Sequence, residues 1–213
     1  MIRPPSPDIR QWDVNACETA CTAQLLYMHG LLEPEDAPSL DRYVGRQRGQ
    51  ADLTGGNIRL LLERGFVIRE FVGTFDSERA VGPQGIEYVR ESWRKAGHPE
   101  KKIDEHLPLV YPLLRRRLLM LRKLESESSG RYVTIVKKPT LSDFLEHISK
   151  VPVSITWRED DGTGHMTLVT RRVRQTTCEL YDPDPLIGGT IDYVTISGLE
   201  QCVKSGFRAF FRP

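Results

Sequence analysis

Gln11-Trp12-Asp13-Val14-Asn15-Ala16-Cys17 is the stretch that decides the fold, because it carries a cysteine into the start of a predicted helix. The residues from Cys17 to His29 favour helix, and Gly30 follows them as a stop signal. Asn15 or Asp13 is expected to serve as the N-cap. The stretch therefore predicts a thiol in the first turn of a helix, with a glutamine six positions upstream.

Helical patterns dominate the first part of the chain and strand patterns the last part, which is the order of an α+β protein. Thr54-Gly55-Gly56-Asn57 opens a second helix, and Phe66–Val72 is rich in residues that favour strands. The later elements are predicted as helices over 84–96, 105–123, 140–149 and 199–204, and as strands over 132–136, 151–157, 165–172, 177–181, 191–196 and 207–211.

We expect a single domain over 1–213, formed by two lobes and an insertion. A helical lobe covers about 8–75 and an antiparallel β lobe about 132–213. The charged segment of about 76–131 between them reads as a helical insertion.

Composition excludes several functional classes. Lys and Arg number 30 against 29 acidic residues, whereas a general nucleic-acid binder normally has a basic surplus. The chain has no apolar stretch of the roughly 18 to 20 residues that a membrane span needs, and no apolar segment typical of a signal peptide. Four scattered cysteines are too few for a disulfide framework, so a cytoplasmic protein is expected. The sequence does not indicate the oligomeric state.

Four residues form a pattern typical of thiol catalysis. A thiol nucleophile needs a lowered pKa, which a helix N-terminus and a protonated histidine supply. His165 follows Gly162-Thr163-Gly164 at the start of a strand, and Asp182 ends the next one. Adjacent antiparallel strands would bring these two side chains to the same edge, where the carboxylate orients the imidazole. The amide of Gln11 can join the backbone N–H of Cys17 as an oxyanion donor.

Together these motifs resemble the bacteriocin-processing cysteine peptidases, the papain-fold domains that cleave double-glycine leader peptides. The resemblance rests on Gln-x5-Cys, Thr-Gly-Gly, a Pro-Val strand, Gly-His before apolar residues, and Asp-Pro. It covers Gln11 to Phe71 and Thr140 to about Asp184, and it implies a papain-like cysteine protease fold. It also implies that Gln11, Cys17, His165 and Asp182 are the oxyanion glutamine, nucleophile, base and orienter. Glu18 stands where the family usually has glycine, which puts a negative charge near the thiolate.

Other interpretations of single residues remain open. Cys21, one helical turn after Cys17, is a second candidate nucleophile, and the two cysteines with a histidine are a weak zinc candidate. Asp184 is an alternative to Asp182. Arg115-Arg116-Arg117 forms either a basic face for an acidic partner or a solvated helix face. Trp12 and Gly164 are expected to contact substrate.

The leading hypothesis is a cysteine-dependent hydrolase of a peptide or small amide substrate, acting through a thioester. An acyltransferase with an amine or thiol acceptor would use the same residues. An inactive binding module with a papain-like fold and a stand-alone leader peptidase are further alternatives. None of the motifs implies a metal or an organic cofactor.

Overall fold

A computed structural model describes residues 2–13, 15–48, 55–73, 75–158, 164–184 and 190–213, except the side chains of residues 157, 158 and 164. The helices are α1 (Cys17–Met28), α2 (Leu40–Val44), α3 (Gly56–Glu63), α4 (Ser77–Val81), α5 (Gly85–Lys95), α6 (Glu100–Glu127), α7 (Leu141–Ile148) and α8 (Ile196–Ser205), with a 3₁₀ helix at Pro34–Ser39. The strands are β1 (Val67–Phe71), β2 (Tyr132–Ile135), β3 (Val153–Arg158), β4 (Gly164–Arg174), β5 (Thr177–Asp182), β6 (Thr190–Thr195) and β7 (Phe207–Phe211).

The strands form one sheet in the order β2-β1-β7-β3-β4-β5-β6. Every neighbouring pair is antiparallel except β1 and β2, which run parallel. The sheet therefore includes a strand from the expected first lobe, β1, beside the strands of the expected β lobe. The predicted α+β class, helical first and mainly antiparallel later, is confirmed, although β2 departs from the antiparallel pattern.

Helix α1 is the central element of one face of the sheet. Nine of its 12 residues are buried, so it is enclosed on nearly all sides. Leu25 and Leu26 of α1 share an apolar core with Leu61 of α3 and with Leu168 and Phe210 of the sheet. This packing fixes the start of α1 relative to β4.

Alternation along the strands builds a second core on the opposite face. Val153 and Ile155 point to the side covered by α7 and α8, where Phe144 and Leu199 are fully buried. Ser154, between the two apolar residues of β3, is also buried and lines a cavity that includes residues of α1. The sheet is thus a middle layer with helices on both sides.

The segment expected as an insertion holds α4, α5 and α6, and it has an apolar cluster of its own. Ala80, Val89, Ile103 and Leu107 are buried together there. The second half of α6 packs on the main body instead: Leu124 belongs to the core of α1, and Oε1 of Glu125 accepts the backbone N–H of Thr134 at 2.6 Å. A single 28-residue helix therefore joins the insertion to the rest of the chain.

The starts of α1 and α3 can be compared with the sequence predictions. The N-cap prediction of Asn15 or Asp13 is wrong: Ala16 is the N-cap of α1, Asn15 has a positive φ of 68°, and Asp13 pairs with Arg46. In Thr54-Gly55-Gly56, Thr54 lies outside the described residues. Gly55 has a φ of 70°, and a Cβ on Gly56 would lie 1.9 Å from the carbonyl oxygen of Val44, so both positions need glycine.

None of the helices in the described ranges combines the length and the apolar content required to cross a membrane.

Candidate active site

Cys17 is the first residue of α1, and its side chain is partly exposed. The backbone carbonyl of Ala16 accepts the N–H of Ala20 at 2.8 Å, and Ala16, the N-cap, makes no side-chain capping hydrogen bond. The positive end of the helix dipole is therefore directed at the thiol. A thiolate at such a position is stabilised by the same N–H groups that would bind an oxyanion.

His165 and Asp182 lie together because β4 and β5 pair in antiparallel register, with Leu168 opposite Tyr181. Nε2 of His165 donates to Oδ1 of Asp182 at 2.6 Å. The side chain of Cys17 is close enough to His165 to affect its ionisation. The structure thus brings three of the four predicted catalytic side chains close together.

The charge of His165 is set by these two partners. Burial would lower the pKa of His165, but its interactions with Asp182 and Cys17 outweigh burial and raise the pKa to about 10. Burial likewise opposes ionisation of Asp182, yet His165 and the backbone N–H of Asp184 hold the pKa of its carboxyl below the ordinary value. An imidazolium–carboxylate pair is therefore the form at neutral pH.

Of the two aspartates in Asp182-Pro183-Asp184, Asp182 is the one that reaches the histidine. Its Oδ1 also accepts the backbone N–H of Asp184 at 3.0 Å. This second donor fixes the carboxylate, so the Asp184 backbone acts here as a support for Asp182.

Gln11 reaches the site along an extended arm that lies beside the end of β5. Its backbone N–H donates to the carbonyl of Pro183 at 2.6 Å, and the hydroxyl of Tyr181 donates to the carbonyl of Ile9. The Gln11 side chain is buried, with 9% of the residue exposed, and its Oε1 has no hydrogen-bond partner among the described residues. The arm thus places Gln11 next to the strand end that carries Asp182.

A buried charged cluster holds the residues that follow Gln11. The guanidinium of Arg46 is fully buried and pairs with Asp13 at 2.9 Å and with Asp41 at 2.6 Å. Burial opposes the charge on Arg46, but the two carboxylates raise its pKa. Trp12 donates from Nε1 to Oδ2 of Asp41 at 2.9 Å and packs against the core of α1. The sequence alone gave no signal that Arg46 and Asp41 support this arm.

Cys21 occupies the core below the site. It is 4% exposed, and its Sγ donates to the carbonyl of Met166 at 3.4 Å. Burial raises the pKa of the Cys21 thiol well above its ordinary value, and nearby Cys17 adds to this effect. Cys21 therefore lacks the exposure and the polarity that a nucleophile needs. Among the described residues, no group of three or more His, Cys, Asp and Glu side chains is arranged to hold a metal ion.

Glu18, next to the nucleophile, is bound by two arginines from distant parts of the chain. Arg117 of α6 contacts both carboxylate oxygens at 3.0 to 3.1 Å, and Arg208 of β7 contacts Oε1 at 2.6 Å. Arg115-Arg116-Arg117 was expected to form either a basic face for an acidic partner or a solvated helix face. Instead, Arg117 pairs with Glu18 within the protein, and Arg115 donates to the carbonyl of Val81 at 3.2 Å. Arg117 and Arg208 lie 99 and 190 positions from Glu18, so sequence reasoning missed both.

One cavity is lined by two of the predicted site residues, and a second includes the residue that follows His165. The first, of about 340 Å³, is lined by Gln11 and Trp12 together with Pro34 and Pro38. The second, of about 260 Å³, includes Met166, which follows His165, and is walled on its other side by aromatic residues such as Phe75. Gly164 begins β4 opposite Arg158, and the turn residues Gly162 and Thr163 lie outside the described part of the chain.

Comparison with known proteins gives no match by sequence: no protein-family model matches the chain, and no curated protein is significantly similar to it. Among solved structures, the chain is similar to the peptidase domain of Streptococcus ComA. That protein is described as a bi-functional ABC transporter involved in a quorum-sensing pathway. The superposition covers 96% of this chain and 97% of that chain, with 10% sequence identity and a TM-score of 0.49.

Proposed function

We propose that this protein is a cysteine-dependent hydrolase of peptide or amide bonds, with Cys17 as nucleophile and His165 as acid and base. One observation carries the proposal: His165 is hydrogen-bonded to Asp182 at 2.6 Å and lies near Cys17, the first residue of a buried helix. A thiolate at a helix N-terminus beside an imidazolium is the arrangement that activates cysteine.

The reaction follows from the positions of these groups. The Cys17 thiolate attacks the carbonyl carbon, and the developing oxyanion is stabilised by the Cys17 backbone N–H and the Gln11 side-chain amide. The His165 imidazolium gives its proton to the leaving amine, and a thioester on Cys17 remains. Neutral His165 then takes a proton from water as the water attacks the thioester. The carboxylic acid product leaves, and the thiolate–imidazolium pair is restored.

Peptides are the substrate class that the site supports best. The cavity lined by Gln11 and Trp12 offers space beside the proposed oxyanion residue, as a peptide substrate would require. Trp12 is fixed by Asp41 at the edge of this cavity and is proposed to contact the substrate there, with the Gly164 backbone as a second contact. The sequence resemblance to double-glycine leader peptidases makes peptides with a Gly-Gly motif the first to test.

The proposal is tested by brief labelling with substoichiometric iodoacetamide at about pH 6, followed by intact-protein mass spectrometry and mapping of the modified cysteine. An ordinary thiol with a pKa of about 8.5 reacts slowly under these conditions. We expect Cys17 to be labelled selectively in the wild type and in His106→Ala, an exposed-histidine control, and labelling to be lost in His165→Ala. Slow labelling spread over several cysteines would contradict the proposal and favour an inactive binding module.

Product analysis then separates hydrolysis from acyl transfer. Peptides incubated with the wild type should yield the free acid, and Cys17→Ala should yield none. If an added amine diverts most of the product to a new amide, the thioester mechanism stands but the enzyme is an acyltransferase.

A further inference from the structure

Glu18 belongs to a cluster of four charged side chains that lies directly behind the nucleophile. Arg208 joins the two carboxylates of the cluster, contacting Glu18 at 2.6 Å through Nη1 and Glu70 at 2.5 Å through Nε. Arg117 contacts Glu18 at 3.0 Å, and the hydroxyl of Tyr132 donates to Glu70. Two carboxylates and two guanidinium groups thus balance in charge.

This cluster is largely shielded from water. The side chains of Glu18 and Arg208 are each 12% exposed, that of Arg117 is 16% exposed, and that of Glu70 is 11% exposed. Burial opposes the charge on Arg208, but the two carboxylates raise its pKa; burial also opposes ionisation of Glu70, but Arg208 lowers that pKa. Because water screens such charges weakly, an imbalance in the cluster would be felt by a neighbouring ionisable group.

The nearest group whose charge matters for chemistry is the Cys17 thiol, one residue from Glu18. A carboxylate in the first turn competes with a thiolate for the positive end of the helix dipole and repels it. Other charged or titratable groups near the thiol include His165 and Asp182 from the sheet and Cys21 from the next turn of α1. Of all these groups, only Arg117 is contributed by the insertion.

Arg117 is the residue of α6 that contacts Glu18, next to the nucleophile. It lies between the half of α6 that builds the separate apolar cluster and the half that packs on the main body. The anchoring contacts of Leu124 and Glu125 are independent of Arg117, so its replacement should leave α6 in place.

We propose that the helical insertion acts on the catalytic centre through Arg117, which, together with Arg208, compensates the charge of Glu18 and so sustains the reactivity of the Cys17 thiolate. Arg117 and Arg208 are positioning residues in this account, since they act through Glu18. The inference rests on the proposed function. It assigns the insertion an indirect part in catalysis, through Glu18, which a glycine after the nucleophile would make unnecessary.

The test is the rate of iodoacetamide alkylation of Cys17 as a function of pH in four proteins: wild type, Arg117→Gln, Glu18→Gln and the double variant. Arg117→Gln leaves one uncompensated negative charge, so the midpoint of its profile should move up by about one pH unit. Glu18→Gln leaves one uncompensated positive charge, so its midpoint should move down. The double variant restores the balance and should return close to the wild-type profile. Arg116→Ala, an exposed neighbour on α6, is the matched control and should not shift the midpoint.

A purely structural role for Arg117 predicts a different pattern. It would lower the thermal melting temperature of Arg117→Gln without opposite shifts in the two single variants, and that result would overturn the inference. Glu18→Gln keeps the test decisive even if Arg117→Gln folds poorly. A different result would contradict the proposed function itself: Cys17 of the wild type would then be alkylated no faster than Cys17 of His165→Ala. Normal wild-type activation with superimposed profiles for the variants refutes the inference alone.

Discussion

Nε2 of His165 lies 2.6 Å from Oδ1 of Asp182, an oxygen that also accepts the backbone N–H of Asp184 at 3.0 Å. The carboxylate is therefore fixed by one backbone donor and one ring donor. With Nε2 occupied, Nδ1 is the ring nitrogen that remains for the thiol of Cys17. The pair thus sets both the orientation of the ring and the proton that it carries.

Replacing the carboxylate by an amide should preserve this orientation but reduce the charge. In Asp182→Asn the side-chain oxygen still accepts from Nε2, so the ring stays in place while its pKa falls from about 10. Asp182→Ala should lose both effects. Proton and nitrogen NMR titration of the His165 ring measures the change directly. Asp184→Asn is the control, because Asp184 contacts Asp182 through its backbone N–H, which the substitution keeps; an equal fall of the pKa in that variant would contradict the assignment.

The raised pKa of His165 also predicts how stability depends on pH. The folded value of about 10 exceeds the unfolded value of about 6.5, so the folded state binds the proton more tightly. The resulting stabilisation is complete below about pH 6.5 and is lost as the pH rises towards 10. We expect the difference in free energy of unfolding between wild type and His165→Gln to shrink over this interval.

Urea denaturation at several values of pH checks this expectation. A difference that stays constant from neutral to alkaline pH would mean that His165 is neutral in the folded protein. The contribution of Asp182 to stability depends on pH in the opposite direction. Because its pKa is lowered in the folded protein, the stabilisation is present above the ordinary pKa of an aspartate and is lost as the pH falls through the folded value.

Local sequence patterns predicted the elements that carry the candidate site. Helix formers after Cys17 predicted α1, and the apolar residues after His165 predicted β4, because residue propensity is a local property. The helix predicted over 140–149 is found as α7, and it starts at a capping box formed by Thr140 and Asp143. The short helices α2 and α4, each five residues long, were not predicted, since so few residues show little periodicity.

Ion pairs between residues far apart in the chain could not be predicted from the sequence. Arg46 reads as an ordinary surface arginine, yet it is enclosed by Asp13 and Asp41. Arg208 reads as the polar member of a strand, and its partners Glu18 and Glu70 come from two other elements. The packing of the sheet against α1 brings these charged residues together. That packing has no signature in the local sequence pattern.

Gln11 allows a prediction that separates binding of the oxyanion from activation of the thiol. Removing one oxyanion donor should lower kcat by roughly 10²- to 10³-fold. Alkylation by iodoacetamide forms no tetrahedral oxyanion, so its rate at Cys17 should hardly change in Gln11→Ala. Peptide hydrolysis and alkylation are measured on the same preparation, with Gln201→Ala, an exposed glutamine on α8, as the control. Equal losses in both assays would indicate that Gln11 supports the fold and not the transition state.

Arg46 should be required for the stability of the arm that carries Gln11. Arg46→Met keeps most of the side-chain volume but leaves Asp13 and Asp41 without their shared cation. Because the guanidinium is fully buried, we expect a loss of about 3 kcal/mol in the free energy of unfolding. Arg46→Lys restores a charge but not the fork that contacts two carboxylates at once, so its loss should be intermediate. Chemical denaturation measures these losses, and Arg42→Ala, an exposed arginine on α2, is the control. If Arg46→Met is as stable as Arg42→Ala, the two carboxylates are accommodated by water and the arm is held by Tyr181 and Pro183 alone.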